Sequence, residues 1–396
     1  MSQPTVAHLL PFHNPFPPIY PAGTELRVEQ VALRQQRFSP LVICGAFPGQ
    51  ELSEQVKGMM VRRIRFGRVY RRLFQKVTDL DPWPYTARMW QILQSEGAKI
   101  LHIHNEPKLL SGLGKYLAKA PLPVVMHVAN EKPISRRFMP LVSRWVACSQ
   151  YIKKWLAGVD GIQPERVEVI YTGVDIENRP PWWEISPSTR MEMRHKFGVL
   201  EVDAIVILFA GRLIREKGVS EILDAFRILR GRCRRPLYLL VAGNVRESKD
   251  PKNEKAVYGR AIVERMAGEE GVTWVGSLDP HAIHEFLITG DIFVIPSLWS
   301  DPFPTSMLEA AAAGLPILAS ARGGITEFLE GCPGVSVIAE PGNIESWVEQ
   351  LQLLISDQDL RWRAGKWLRE KVGRSFDWAR VAREFEDLYN RLVGGL

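Results

Sequence analysis

The chain has 396 residues, too many for one ordinary domain at roughly 100–200 residues each, so two or three domains are expected. Hydrophobic residues make up 46% and charged residues 24%, a balance that excludes wholesale disorder. Lys and Arg number 51 against 44 Asp and Glu, and the resulting +7 suits phosphate handling or an anionic surface without making a nucleic-acid binder.

The chain opens MSQPTVAHLLPFHNPFPPIYP, with no basic residue ahead of a very short apolar patch, which fails as a signal peptide. No run of about 18 apolar residues follows, which argues against a transmembrane helix. Instead, short apolar runs alternate with amphipathic stretches. The runs fall at 6–10, 41–44, 100–103, 124–128, 145–148 and 167–171, then at 204–210, 237–242, 272–275, 292–295, 316–319 and 334–338. Most are bounded by Gly, Pro, Asn or His, as buried parallel strands usually are. Between them lie helical patterns such as 219–229, where Val219, Ile222, Leu223, Phe226 and Leu229 share one face. The alternation predicts an α/β fold of parallel, doubly wound sheets.

The segment 179–190 (RPPWWEISPSTR), rich in Pro and Ser, breaks the alternation and reads as a linker. It separates a first domain, 1–178, from a second, 191–376. The stretch 377–396 is a helix pattern with no strand after it, expected to pack back on the first domain. Cys44, Cys148, Cys233 and Cys332 are far apart and in no paired spacing. A reducing cytoplasmic setting is therefore expected, with at most peripheral membrane contact.

In the first half, HIHNEP puts His102 and His104 two positions apart at a strand end. No third ligand has suitable spacing, so buried or capping histidines are a stronger reading than a metal site. The stretch from Lys57 to Lys76 (KGMMVRRIRFGRVYRRLFQK) holds eight cations and no acid. A strand is expected near 61–66. A helix from Phe66 would align Phe66, Val69, Tyr70, Leu73, Phe74 and Val77 opposite Arg68, Arg71, Arg72 and Lys76. It reads either as a core-packed helix with a solvated face or as a surface for anionic lipid or an anionic acceptor. Its aromatics share the apolar stripe rather than interleaving with the cations, which disfavours nucleic acid. Asp79-Leu80-Asp81 follows no apolar strand and reads as a loop, not a metal site.

In the second half, the strand at 204–210 runs into GRLIREKG and then a helix. Arg212 and Lys217 beside a helix start would suit a diphosphate, one as a fork and the other as a point charge, or would be ordinary loop cations. Asp301 and Glu309 stand with seven residues between them, Asp301 in a loop and Glu309 about one turn into an alanine-rich helix. Carboxylates there suit the paired hydroxyls of a sugar or ribose, although a helix with one exposed Glu would look the same. Gly323 and Gly324 follow the strand PILAS and permit close backbone approach to a ligand, or simply make a turn.

The ordered set GRLIREKG, PSLWSDPFPTSMLEAAAAGLPILAS and RGGITEFL resembles the retaining nucleotide-sugar glycosyltransferases of family four. It implies the GT-B fold, two Rossmann-like domains facing a cleft, with closure on binding. The resemblance implies that Arg212 and Lys217 hold the donor diphosphate, Glu309 the donor ribose and Asp301 the transferred sugar, with Asp301 standing where Glu is usual. It also relates Ala22-Gly23-Thr24-Glu25 to a Gly-Gly-x-Glu loop, placing Gly23 at the donor phosphate. His127, in VVMHVANE, would lie near the transferred sugar. Cys148-Ser149-Gln150 and Tyr171-Thr172-Gly173-Val174-Asp175 match further segments, the second with Thr172 in place of Asn. Within the family the wording resembles spore-coat and cell-envelope polysaccharide enzymes.

The implied activity is retaining transfer of a sugar from a nucleotide-diphospho-sugar to a glycan or lipid-linked acceptor. No metal or other cofactor is expected. The alternatives are a non-catalytic binding protein of the same fold and a nucleotide-sugar epimerase. Retention of Arg212, Lys217 and Glu309 speaks against the first of these.

Overall fold

The computed structural model describes residues 3–19, 23–65, 67, 69–70, 85–246, 248, 250–279, 282–334 and 337–394. The chain forms two compact units, one of Met1–Gly173 with Trp378–Leu396 and the other of Val174–Asp377.

The first unit carries β1 (Thr5–Leu9), α1 (Gly23–Ala32), β2 (Ser39–Gly45), β3 (Ser53–Val56), β4 (Met59–Ile64), α2 (Tyr85–Ser95), β5 (Ala98–His104), α3 (Pro107–Leu117), β6 (Val124–Val128), β7 (Arg144–Ala147), α4 (Gln150–Ala157) and β8 (Val167–Val169). Its sheet runs β3-β4-β2-β1-β5-β6-β7-β8, parallel except for the antiparallel β3–β4 pair. β3 has no counterpart among the apolar runs because it is a polar edge strand with alternate residues exposed. The helices bury one stripe each. In α3 the buried residues Leu109, Leu110, Leu113 and Leu117 recur at helical spacing.

The terminal helix, Trp378–Val393, belongs to this unit. Trp378, Val381, Phe385, Leu388 and Tyr389 pack against Val6, Ile100, Val125 and Val146 from four strands and against Ile170 just after β8. Glu386, buried on the same helix, accepts hydrogen bonds from the backbone N–H of Gln36 and Arg37 at 2.7 and 2.6 Å. Gly173 shows why the YTGVD segment is small at its centre, since a Cβ there would lie 2.6 Å from the Trp378 ring.

Of the four described cations in the basic stretch 57–76, three form ion pairs and Arg65 is exposed. Lys57 pairs with Glu29, Arg62 with Glu96 and the buried Arg63 with Glu54. The Arg63 guanidinium also donates to the Phe16 and Glu51 carbonyls. Val69 and Tyr70, expected in a core stripe, are exposed at 74% and 40%. The rest of that expected helix, Ala22 of the glycine-rich match and the 79–81 loop lie outside the described residues.

The second unit carries α5 (Pro187–Lys196), β9 (Ile205–Ala210), α6 (Val219–Arg232), β10 (Leu237–Ala242), α7 (Glu254–Ala267), β11 (Val272–Gly276), α8 (Ile283–Leu287), β12 (Ile292–Ile295), α9 (Thr305–Ala312), β13 (Ile317–Ala319), α10 (Ile325–Leu329), α11 (Ile344–Ser356) and α12 (Gln358–Ser375). Its five-stranded parallel sheet is ordered β11-β10-β9-β12-β13. In α6 the residues Val219, Ile222, Leu223, Phe226 and Leu229 are all buried. Of the strand expected at 334–338, Ile338 makes a single bridge to Ser320, and 335–336 lie outside the described residues.

The stretch 179–190, read as a linker, lies inside the second unit. Trp182 donates from its backbone to Ala313 O and from its indole to Gly314 O. Arg190 donates to the carbonyls of Ile288 and Gly290, and Ser186 caps α5 by accepting from Thr189 N. Pro and Ser shape the backbone here, but an indole and a guanidinium anchor it.

The terminal helix buries five large apolar side chains, worth about 1.5–3 kcal/mol each, which together rival the whole stability of a domain. A chain ending at Asp377 is therefore expected to leave the first unit unfolded while 174–377 keeps its protease resistance. Limited proteolysis with mass spectrometry measures this, and a protected first unit in the truncated chain would refute it.

Candidate functional site

Open parallel sheets bind ligands beyond the carboxyl ends of their strands, at the point where the strand order reverses. In the second unit β9 is followed by β10 and β11 on one side, while β12 and β13 lie on the other. The reversal falls between β9 and β12. The loops leaving β9, β12 and β13 carry Arg212 and Lys217, then Asp301 and Glu309, then Gly323 and Gly324.

The β9 loop is held by backbone bonds from Gly211 N to Ala242 O and from Leu213 N to Asn244 O. It ends in a short turn, Arg215–Lys217, and in Gly218, which adopts φ +69° at the start of α6. A Cβ on Gly218 would sit 1.8 Å from Pro296 O, so only glycine lets this loop lie against the end of β12. Leu298 N donates to Glu216 O at 2.9 Å, which joins the two loops. Lys217 then donates from Nζ to Asp301 Oδ2 at 2.5 Å, with its ammonium 6.0 Å from the centre of the Trp299 ring. Arg212 stands exposed on the same loop.

Asp301 is 4% exposed, and the third loop grips its backbone. Gly324 N donates to Asp301 O at 2.8 Å, and Gly323 has φ +60° with a hypothetical Cβ only 2.1 Å from that same oxygen. The close backbone approach expected of this Gly-Gly pair is thus made to the Asp301 loop. Glu309 does not join the cluster through any contact described. It lies partly buried in α9 and accepts from Arg179 Nη1 at 3.2 Å. Burial pushes its carboxyl above the usual carboxylate range, and Arg179 opposes that shift. Ala310, Ala311, Ala312 and Ala313 are fully buried, consistent with close helix packing.

In the first unit, Gly23 opens α1 with nothing within 4 Å of where a Cβ would stand. Glu25 is buried and accepts from Asn14 Nδ2 at 3.0 Å, its carboxyl raised chiefly by burial. Arg27, two residues on, is also buried, and desolvation brings its guanidinium down to about 10. His127 is the penultimate residue of β6, beside its register partner His104 of β5. It is fully buried, and burial together with the charge of Arg27 holds it well below the usual histidine range.

Several residues around these sites carry little signal in the sequence. Arg179 lay in the stretch taken for a linker. His8 sits in β1 between Ala7 and Leu9, and a polar residue inside a fully buried strand was the available signal. His8, His102 and His104 bring three rings together, whereas spacing along the chain had offered two.

A family model described as glycosyl transferases group 1 matches residues 192–371, and one described as glycosyltransferase family 4 matches residues 29–178. The chain belongs to these glycosyltransferases. It is 29% identical over 94% of its length to the lipopolysaccharide 1,2-N-acetylglucosaminetransferase of Salmonella typhimurium, covering 94% of that protein. It is 26% identical over 79% of its length to spore coat protein SA of Bacillus subtilis, covering 83% of it. The fold is GT-B. Sucrose-phosphate synthase from Thermosynechococcus elongatus superimposes with a TM-score of 0.79 at 17% identity, with all of both chains covered. Anabaena HepE in complex with UDP-glucose gives 0.75 at 20% identity, with 98% of this chain and 100% of that one covered.

The Lys217–Asp301 pair is nearly buried, so removing one partner strands the other charge, at a cost of about 3–5 kcal/mol. Lys217→Ala is expected to lose stability in that range, and adding Asp301→Asn should restore more than about 1 kcal/mol. Urea unfolding of the two single variants and the double variant measures the coupling. Additive losses would show that the two side chains do not interact.

Proposed function

We propose that this glycosyltransferase moves a sugar from a nucleotide-diphospho-sugar to a hydroxyl of a glycan or lipid-linked acceptor in cell-envelope lipopolysaccharide or polysaccharide synthesis, with retention at the anomeric carbon. The observation that carries the donor assignment is the three-loop cluster at the reversal point, where Lys217 meets a buried Asp301 clamped by Gly323 and Gly324. HepE in its complex with UDP-glucose and the Salmonella transferase supply the parallel for donor class and acceptor setting.

In this reading Arg212, Lys217 and the first N–H groups of α6 meet the donor diphosphate. Lys217 has three N–H donors and spends one on Asp301, so a diphosphate can be bound without stranding that acid. Asp301 then accepts from hydroxyls of the transferred sugar and Glu309 from those of the ribose. The family resemblance adds Gly23 as a contact to a donor phosphate and His127 as a contact to the transferred sugar. The bond from the anomeric carbon to the diphosphate oxygen breaks with its electron pair going to the phosphate, whose growing charge Arg212 and Lys217 stabilise. The acceptor oxygen bonds to the same face of that carbon, and its proton passes to the departing phosphate. Because two cations meet the developing charge, the step draws on no metal.

Thermal shift across UDP-, GDP- and ADP-sugars is expected to pick out one nucleotide class, since a ligand at about 100 times its Kd adds about 2.7 kcal/mol. Lys217→Ala should abolish that shift and lower kcat/KM by about 10²–10³-fold. No shift with any nucleotide sugar in the parent chain would overturn the donor assignment. NMR of the product reads the anomeric configuration: inversion would refute retention, and an epimerised free sugar nucleotide would replace transfer by epimerisation.

The acceptor surface is proposed to include the basic stretch 57–76 facing an anionic membrane. Among its described residues Arg65 is exposed, while Lys57, Arg62 and Arg63 are engaged in ion pairs. Replacing Arg68, Arg71, Arg72 and Lys76 together by Ser should therefore lower sedimentation with vesicles containing anionic lipid. Unchanged binding would exclude this surface. No helix among the described residues is long and apolar enough to cross a membrane.

A further inference from the structure

Four of the chain's eight histidines converge in the first unit, where the order of its sheet reverses between β1 and β5. His8 stands opposite His102 in the β1–β5 register, and His104 opposite His127 in the β5–β6 register. All four are buried at 1% exposure or less. Such a row is costly in an apolar interior unless its nitrogens are used.

Two of the rings are already oriented by partners on one side. His8 directs Nε2 toward Gln35 Oε1 at 3.4 Å, which turns Nδ1 toward His104 Nε2, 3.0 Å away. His102 directs Nδ1 to the hydroxyl of Tyr389 at 2.6 Å, and its Nε2 is buried with no hydrogen-bond partner among the described residues. One nitrogen from each of His8, His102 and His104 lies within 4.8 Å of the others. Around a tetrahedral ion with metal–nitrogen bonds of about 2.0–2.1 Å, ligand nitrogens stand about 3.3 Å apart. The His8–His104 pair is close to that spacing, and a His102 nitrogen stands within 4.8 Å of both. An outer ring nitrogen bonded to a fixed polar group is the arrangement by which proteins orient metal-ligating imidazoles.

We propose that His8, His102 and His104 form a three-histidine site for a borderline divalent transition-metal ion, Zn²⁺ foremost, with Tyr389 and Gln35 as positioning residues. Three imidazoles without a thiolate or carboxylate select Zn²⁺, Cu²⁺, Ni²⁺ or Co²⁺ over Mg²⁺ and Ca²⁺. Burial favours the neutral rings that bind metals, with His8 brought down to about 4 and the other two shifted in the same direction. Arg27 is the charged group that bears on His102 and His104, and Glu25 offsets its charge. Three neutral donors therefore carry the affinity. The ion pins β1 to β5 and, through Tyr389, to the terminal helix. It takes no part in the transfer step, and the site stands whether or not the donor assignment holds.

The test uses the full chain, freed of metal and titrated with Zn²⁺, with elemental analysis after gel filtration. One zinc per chain is expected, falling below a tenth in His8→Gln and His102→Asn and unchanged in His195→Ala, which alters an exposed histidine. Tyr389→Phe keeps the ring packing but loses the hydroxyl, so zinc affinity should drop about 10–100-fold. A purely structural tyrosine would alter only the melting of the metal-free chain. Circular dichroism checks that each variant folds. If the histidine variants do not fold, the visible absorption of the Co²⁺-loaded parent chain decides, an imidazole-ligated tetrahedral spectrum being expected. Sub-stoichiometric zinc in the parent chain, zinc retained by a folded His102→Asn variant, or a Co²⁺ spectrum of free aqueous ion would each overturn the site.

Discussion

The second unit is organised by the need to keep one buried carboxylate in place. Asp301 is almost wholly removed from water, yet its side chain meets an ammonium and its carbonyl a backbone N–H. Each contact comes from a different strand end, Lys217 from the β9 loop and Gly324 from the β13 loop. The positive φ of Gly218 and Gly323 lets both loops come that close, since at either position a side chain would overlap a carbonyl oxygen. The charge on Asp301 thus fixes three loops at once. A preorganised polar cluster of this kind loses little to reorganisation when charge develops beside it.

Much of this architecture was legible in the residues. Strands buried on both faces announce themselves as apolar runs, as β9 and β10 do, and α6 shows its stripe at helical spacing. β3 was hidden because an exposed edge strand has no apolar face to display. The 179–190 stretch was misread for the opposite reason. Its prolines and serines signal irregular backbone truthfully, while the anchoring by Trp182 and Arg190 depends on carbonyls more than 95 positions away.

The same distinction holds within the site. Lys217 and Asp301 each stood in a recognisable segment, but 84 positions separate them and only the fold makes them partners. Gly323 was visible as a turn, whereas its packing against the Asp301 carbonyl was not. The histidine row is the extreme case. Its members come from three strands and lean on a tyrosine from the far end of the chain, so no local spacing could have announced it.

The composition of the first unit has a consequence for how the chain is made. Residues 174–377 form a continuous segment, complete in all its strands before the last residues are synthesised. The first unit begins earlier and finishes later, because the helix covering one face of its sheet is encoded at the opposite terminus. During vectorial synthesis the later-encoded unit can therefore reach its native state first. Meanwhile the sheet bearing Val6, Ile100, Val125 and the buried histidines waits with that face open, a window in which a chaperone or a passing metal ion would find it accessible.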